Sequence, residues 1–82
     1  MDLSTALSHL RAGDWEGAHA IVQADLSAPS CWAHGIVHLI EGDLDNARYW
    51  YGRAGRAWPA MPDARTEIEA LAGAIARDMG ER

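Results

Sequence analysis

The sequence predicts an all-α fold of five helices: two antiparallel helix hairpins followed by a C-terminal capping helix. The first observation is an internal repeat, in which AGDWEGAHAIV at 12–22 aligns with EGDLDNARYWY at 41–51. The second is the Gly-Asp pair near the start of each aligned segment, which is typical of a helix end followed directly by a new helix cap. The third is the spacing of the apolar residues, which recur every three or four positions as on one face of a helix.

The first hairpin is predicted over residues 3–29. Its first helix should end at Gly13, because glycine readily takes the left-handed conformation that closes a helix. Asp14 should then cap the second helix through its carboxylate. A turn this short makes the two helices antiparallel neighbours. Their apolar stripes are Leu3, Ala6, Leu7 and Leu10 on one helix, and Trp15, Ala18 and Val22 on the other.

The second hairpin is predicted over residues 30–59 and repeats the same plan. Pro29 stands at the start of the third helix and Pro59 follows the fourth, two places where proline is tolerated. Gly42 should have a positive φ, and Asp43 should cap the fourth helix. The apolar stripe of that helix is Leu44, Ala47, Tyr51 and Ala54.

The capping helix is predicted over residues 62–79. Its apolar stripe includes Ile68, Leu71 and Ile75, but it has no Gly-Asp turn and no partner helix of its own. We therefore expect it to cover the apolar face that the second hairpin leaves open. The first helix would then remain an open apolar end, available to a partner.

Composition limits the possible functions. The 82-residue chain has a formal net charge of −5 and lacks lysine, which argues against a nucleic-acid surface and excludes lysine-based catalysis. One cysteine cannot form an internal disulfide, which suits a reducing compartment. The start of the sequence has no signal-peptide pattern, and no apolar run is long enough to span a membrane. These features predict a cytoplasmic protein that does not bind membranes.

The second hairpin resembles the tetratricopeptide repeat family. GDLDNARYWYGRAGRAWP matches the second-helix pattern of that family, and Gly35 stands where the family keeps a small residue. The first hairpin matches less well, because Val22 replaces the aromatic residue. The resemblance implies a non-catalytic module that binds a protein or peptide, with a homodimer as one form of that binding.

A narrower resemblance is to a group of small uncharacterised proteins. They carry W-x-H-x-x-x-H-x-x-E-G-D followed by N-A-x-Y-W-Y-x-R-A-G, and both patterns occur in this chain. The resemblance implies no activity, but it singles out candidate ligand-binding residues in the second hairpin. These are Trp32, His34, His38, Glu41, Asn46, Tyr49, Trp50 and Arg53.

His34 and His38 are spaced as two zinc ligands on one helix could be. A metal site needs a third ligand, and the fourth helix offers only Asp45, Asn46 and Tyr49. We therefore expect no metal and no other cofactor, with His38 in a buried, hydrogen-bonded structural role. Cys31 lacks an orienting group for nucleophilic catalysis, so no catalytic residue is predicted.

The fourth helix also carries a polar stripe, Asn46, Tyr49, Arg53 and Arg56. It is read either as a solvated outer face or as a site for a carboxylate or phosphate. The main functional prediction is thus an interaction module. The alternative is a small-ligand-binding protein or enzyme with a site built on His34, His38, Glu41, Asn46, Tyr49 and Arg53.

Overall fold

Five α-helices make up the described part of the chain, as predicted. The computed structural model describes residues 3–80, and it describes side chains over 3–77. The helices are α1 (Leu3–Arg11), α2 (Trp15–Val22), α3 (Ala28–Glu41), α4 (Leu44–Ala54) and α5 (Ala64–Gly80). The fifth helix begins two residues later than predicted, because the Asp63 carboxylate caps it by accepting a hydrogen bond from the Thr66 N–H at 3.1 Å.

Both hairpin turns have the predicted geometry. Gly13 has φ 78° and Gly42 has φ 88°, a left-handed conformation that residues with a Cβ rarely adopt. Asp14 and Asp43 each accept a hydrogen bond from a backbone N–H three residues later, at 3.1 and 3.3 Å. The predicted combination of glycine and capping aspartate is therefore confirmed in both turns.

Helix α3 lies at the centre of the packing and contacts all four other helices. It packs most extensively against α4, its hairpin partner, while α1 packs against α2 within the first hairpin. The contact between α2 and α3 joins the two hairpins. As a result, the side chains of α3 from Ser30 to Val37 are all buried.

The close approach of α3 and α4 depends on Gly35. A Cβ atom added there would lie 2.5 Å from the Cδ1 of Tyr51 and 3.2 Å from the carbonyl oxygen of Ala47. The Tyr51 ring fills the space beside Gly35, and its hydroxyl donates a hydrogen bond to Glu67 of α5 at 2.7 Å. Burial, and then that hydrogen bond, raises the pKa of the Tyr51 hydroxyl above its ordinary value. The hydroxyl therefore remains protonated and acts as a donor.

The expectation that α1 forms an open apolar end is wrong. Helix α5 packs against α1 as well as α3. The Arg11 guanidinium donates two hydrogen bonds of 2.9 Å to the Glu69 carboxylate, one from Nε and one from Nη2. Leu7 and Leu10 are buried. Helix α5 therefore covers apolar surface of both hairpins, where the sequence analysis assigned it to the second hairpin alone.

None of the helices in the described part of the chain combines the length and the apolar character needed to cross a bilayer.

Candidate functional site

Three histidine side chains meet between α2 and α3. His34 and His38 lie on one face of α3, one helical turn apart, and His19 reaches them from α2. The ring centroids of His19 and His34 are 4.7 Å apart, those of His34 and His38 are 5.1 Å apart, and those of His19 and His38 are 5.7 Å apart. Each ring offers one nitrogen, and the three nitrogens all lie within 4.8 Å of one another. We call these three residues the histidine cluster.

The position of His19 follows from the packing of α2. Ala18 and Val22 are completely buried on that helix, one helical turn apart. His19 directly follows Ala18 and is therefore half-buried at the edge of the same contact. The sequence analysis did not consider His19, because it sought a third donor only in α4. The sequence did contain a signal for His19, because this histidine directly follows a predicted core position of the first hairpin.

His34 is the most deeply buried member of the cluster, with 5% of its surface exposed. Its ring stacks on the indole of Trp50 in α4, with 3.9 Å between centroids and 9° between planes. Burial, followed by the proximity of His19 and His38, lowers the pKa of His34 to about 4. His34 is thus neutral at pH 7, and its ring keeps a nitrogen lone pair.

The His38 ring is oriented by a carboxylate. Its Nδ1 lies 2.7 Å from the Oε1 of Glu41. Because an ionised carboxylate only accepts hydrogen bonds, Nδ1 must carry the donated proton. In a neutral ring this leaves Nε2 as the free lone pair. Histidine ligands in metalloproteins are commonly held in this way, with one nitrogen on the metal and the other on a carboxylate.

His9 makes the corresponding contact in the first hairpin. Its Nδ1 lies 2.8 Å from the Oδ2 of Asp14. His9 and His38, which align in the sequence repeat, therefore each contact a carboxylate. His9 does not belong to the histidine cluster, which contains the other three histidines of the chain. Substitution of His9 can therefore serve as the control for substitutions in the histidine cluster.

One side of the cluster is covered by Trp50 of α4, which in turn contacts an aromatic and a basic side chain of the same helix. Tyr49 meets Trp50 edge to face, with 5.2 Å between ring centroids. The Nη1 of Arg53 donates a hydrogen bond to the Tyr49 hydroxyl at 2.9 Å, and the Arg53 Cζ lies 5.6 Å from the Trp50 ring centroid. Among the described side chains, Arg53 has no carboxylate partner.

The other candidate residues are placed differently. The Asn46 amide donates a hydrogen bond to Asp43 at 2.8 Å and so belongs to the cap of α4. Asp43 and Glu41 lie close enough to His38 to form a second group of metal-ligand type, but Asp43 is already engaged as that cap. The prediction that Arg56 extends the α4 stripe is wrong, because α4 ends at Ala54.

Trp32 and Arg56 belong to a separate apolar groove. The Arg56 Cζ lies 3.7 Å from the centroid of the buried Trp32 ring. The groove has a volume of about 490 Å³ and is bordered by the start of α3, the end of α4 and the second half of α5. Its apolar walls include Leu3, Pro29, Leu71 and Ile75.

Comparisons with known protein families, curated proteins and solved structures give no match for this chain. The resemblance to tetratricopeptide repeats therefore stays a prediction.

Proposed function

We propose that the protein binds a divalent transition-metal ion, with zinc as the leading candidate, through His19, His34 and His38. The observation that supports this proposal most is the presence of three imidazole nitrogens within 4.8 Å of one another. Around a tetrahedral zinc ion such nitrogens are about 3.3 Å apart, so modest side-chain rotations would bring them into place.

The expectation that the protein holds no metal depended on the lack of a third ligand. His19 supplies that ligand from the neighbouring hairpin. The donor set also selects the class of ion, because imidazole nitrogens favour zinc, copper or nickel over calcium and magnesium. The contact between His38 and Glu41 adds the outer carboxylate that commonly accompanies a histidine ligand.

Isothermal titration calorimetry of the metal-free, untagged protein with Zn²⁺ tests this proposal. We expect the titration to give one bound ion per chain. In thermal unfolding, we expect the zinc-bound protein to have a higher melting temperature than the metal-free protein. At a free zinc concentration 100 times the Kd, binding should add about 2.7 kcal/mol to the free energy of unfolding.

The matched variants are His19→Gln and His9→Gln, each of which removes a half-buried histidine. We expect His19→Gln to lose most of the zinc affinity and His9→Gln to retain it. Equal affinities in the two variants would show that the cluster does not bind the ion.

We also propose, as a second function, that the apolar groove binds a peptide segment bearing apolar side chains beside a carboxylate. Its support is the apolar wall around Trp32 together with the positive charge of Arg56. Arg56 has no carboxylate partner among the described side chains, although the chain is acidic overall. A peptide carboxylate would provide that partner.

Selection from a random peptide library tests the second function. Selected peptides should be apolar with an acidic group, and Arg56→Gln should weaken their binding by roughly tenfold or more. Arg65→Gln is the control, because Arg65 is an exposed arginine of α5 that does not border this groove. Binding unaffected by Arg56→Gln would argue against this function.

A further inference from the structure

We propose that the metal centre takes a small oxyanion as an exchangeable fourth ligand, with Arg53 as the second contact of that anion. This inference rests on the proposed metal binding. It goes further by assigning the chemical class of the ligand that binds the metal from solution.

The first argument is the number of donors. The structure brings three protein nitrogens together, whereas zinc normally takes four ligands. Glu41 is held at the outer side of His38 through Nδ1, and Asp43 accepts a hydrogen bond from the backbone N–H of Asn46. Neither carboxylate lies within ligand distance of the whole histidine cluster.

Cys31 does not supply the fourth ligand either. Its side chain is buried, and the Sγ contacts the Leu26 carbonyl oxygen at 3.6 Å. Among the described side chains, no fourth donor therefore joins the three histidines. A site with three protein ligands is the arrangement in which zinc exchanges water for a ligand from solution.

The second argument is access. His34 is covered by Trp50, whereas His19 and His38 each keep part of their surface exposed to solvent. A small ligand could approach from solvent without displacing a core side chain. The apolar groove around Trp32 lies apart from the histidine cluster.

The third argument is charge. A divalent ion bound by three neutral imidazoles keeps its double positive charge, which attracts an anion. Arg53 lies beside Trp50, which itself stacks on His34, and its guanidinium has no carboxylate partner in the described part of the chain. Its single hydrogen bond to the Tyr49 hydroxyl leaves other N–H donors of the guanidinium free. Arginine binds carboxylates and phosphates through two parallel hydrogen bonds, so it suits an oxyanion.

Cobalt(II) allows two separate tests, because its visible absorption depends on its ligands. One test asks whether an anion takes the fourth coordination position of the metal, and the other asks whether Arg53 contacts that anion. Metal-free protein is titrated with Co²⁺ in a non-coordinating buffer, and acetate or inorganic phosphate is then added. We expect a four-coordinate spectrum that shifts in a saturable way with one of the anions. A response to acetate alone or to phosphate alone identifies the class of oxyanion.

Arg53→Gln should leave Co²⁺ affinity unchanged and weaken anion binding by about tenfold. Arg48→Gln, on the same helix, is the control because Arg48 lies over Trp58 instead. Failure to bind Co²⁺ would overturn the metal proposal and this inference with it. Bound Co²⁺ whose spectrum ignores both anions would overturn this inference alone, and equal anion affinity in the two variants would remove Arg53 from the site.

Discussion

Replacing Gly35 with alanine should lower the free energy of unfolding by about 1–3 kcal/mol, the range expected for inserting a methyl group into a packed core. The new Cβ would lie 2.5 Å from the Cδ1 of Tyr51. The ring cannot move away freely, because its hydroxyl donates a hydrogen bond to Glu67 and the ring meets that of Trp58 at nearly a right angle. The two helices of the second hairpin would therefore have to separate.

Gly52→Ala is the matched control for this substitution. Gly52 also lies in a helix of the second hairpin, but a Cβ there would meet no atom within 4 Å. We expect a gain of up to about 1 kcal/mol, because alanine favours a helix interior over glycine. Urea unfolding followed by circular dichroism measures both variants. A Gly35→Ala protein as stable as Gly52→Ala would contradict the close packing of α3 and α4.

Replacing Leu71 with alanine should cost about 2–5 kcal/mol, as expected for a leucine whose side chain is removed from a core. Leu71 is completely buried and lies in the half of α5 that borders the groove beside Trp32. A small domain has a total stability of about 5–15 kcal/mol, so this loss is large for a chain of this size. We expect the variant to be partly unfolded near physiological temperature.

Leu44→Ala provides the comparison for Leu71→Ala. Leu44 is 51% exposed at the start of α4. Its loss should therefore change stability by less than about 0.5 kcal/mol. Thermal unfolding of both variants, followed by tryptophan fluorescence, distinguishes the two positions. Similar melting temperatures would show that α5 is not docked on the core.

The helices and turns were predictable because they depend on nearby residues. The conformation of Gly42 and the cap from Asp43 follow from the chemistry of two adjacent positions. The proximity of His34 and His38 was also predictable, since one helical turn separates them. These parts of the fold and of the candidate site required no knowledge of how distant segments pack.

The remaining features depend on contacts between segments far apart in the sequence. His19 joins the cluster only because Ala18 and Val22 fix the rotation of α2 against its neighbours. The departure of Arg56 from the α4 stripe is an exception with a local cause, because Gly55 ends the helix with φ 72°, earlier than the repeat pattern placed that end. The packing of α5 against α1 has no local signature, because any amphipathic helix can cover more than one face.

The histidine cluster takes one histidine from the first hairpin and two from the second. A gene fragment encoding either hairpin alone would therefore inherit an incomplete centre. If the centre is what selection preserves, the two halves of this repeat can no longer be duplicated, lost or exchanged independently. A repeat architecture usually permits such changes. A metal site that takes histidines from both hairpins would require the two hairpins to be inherited together.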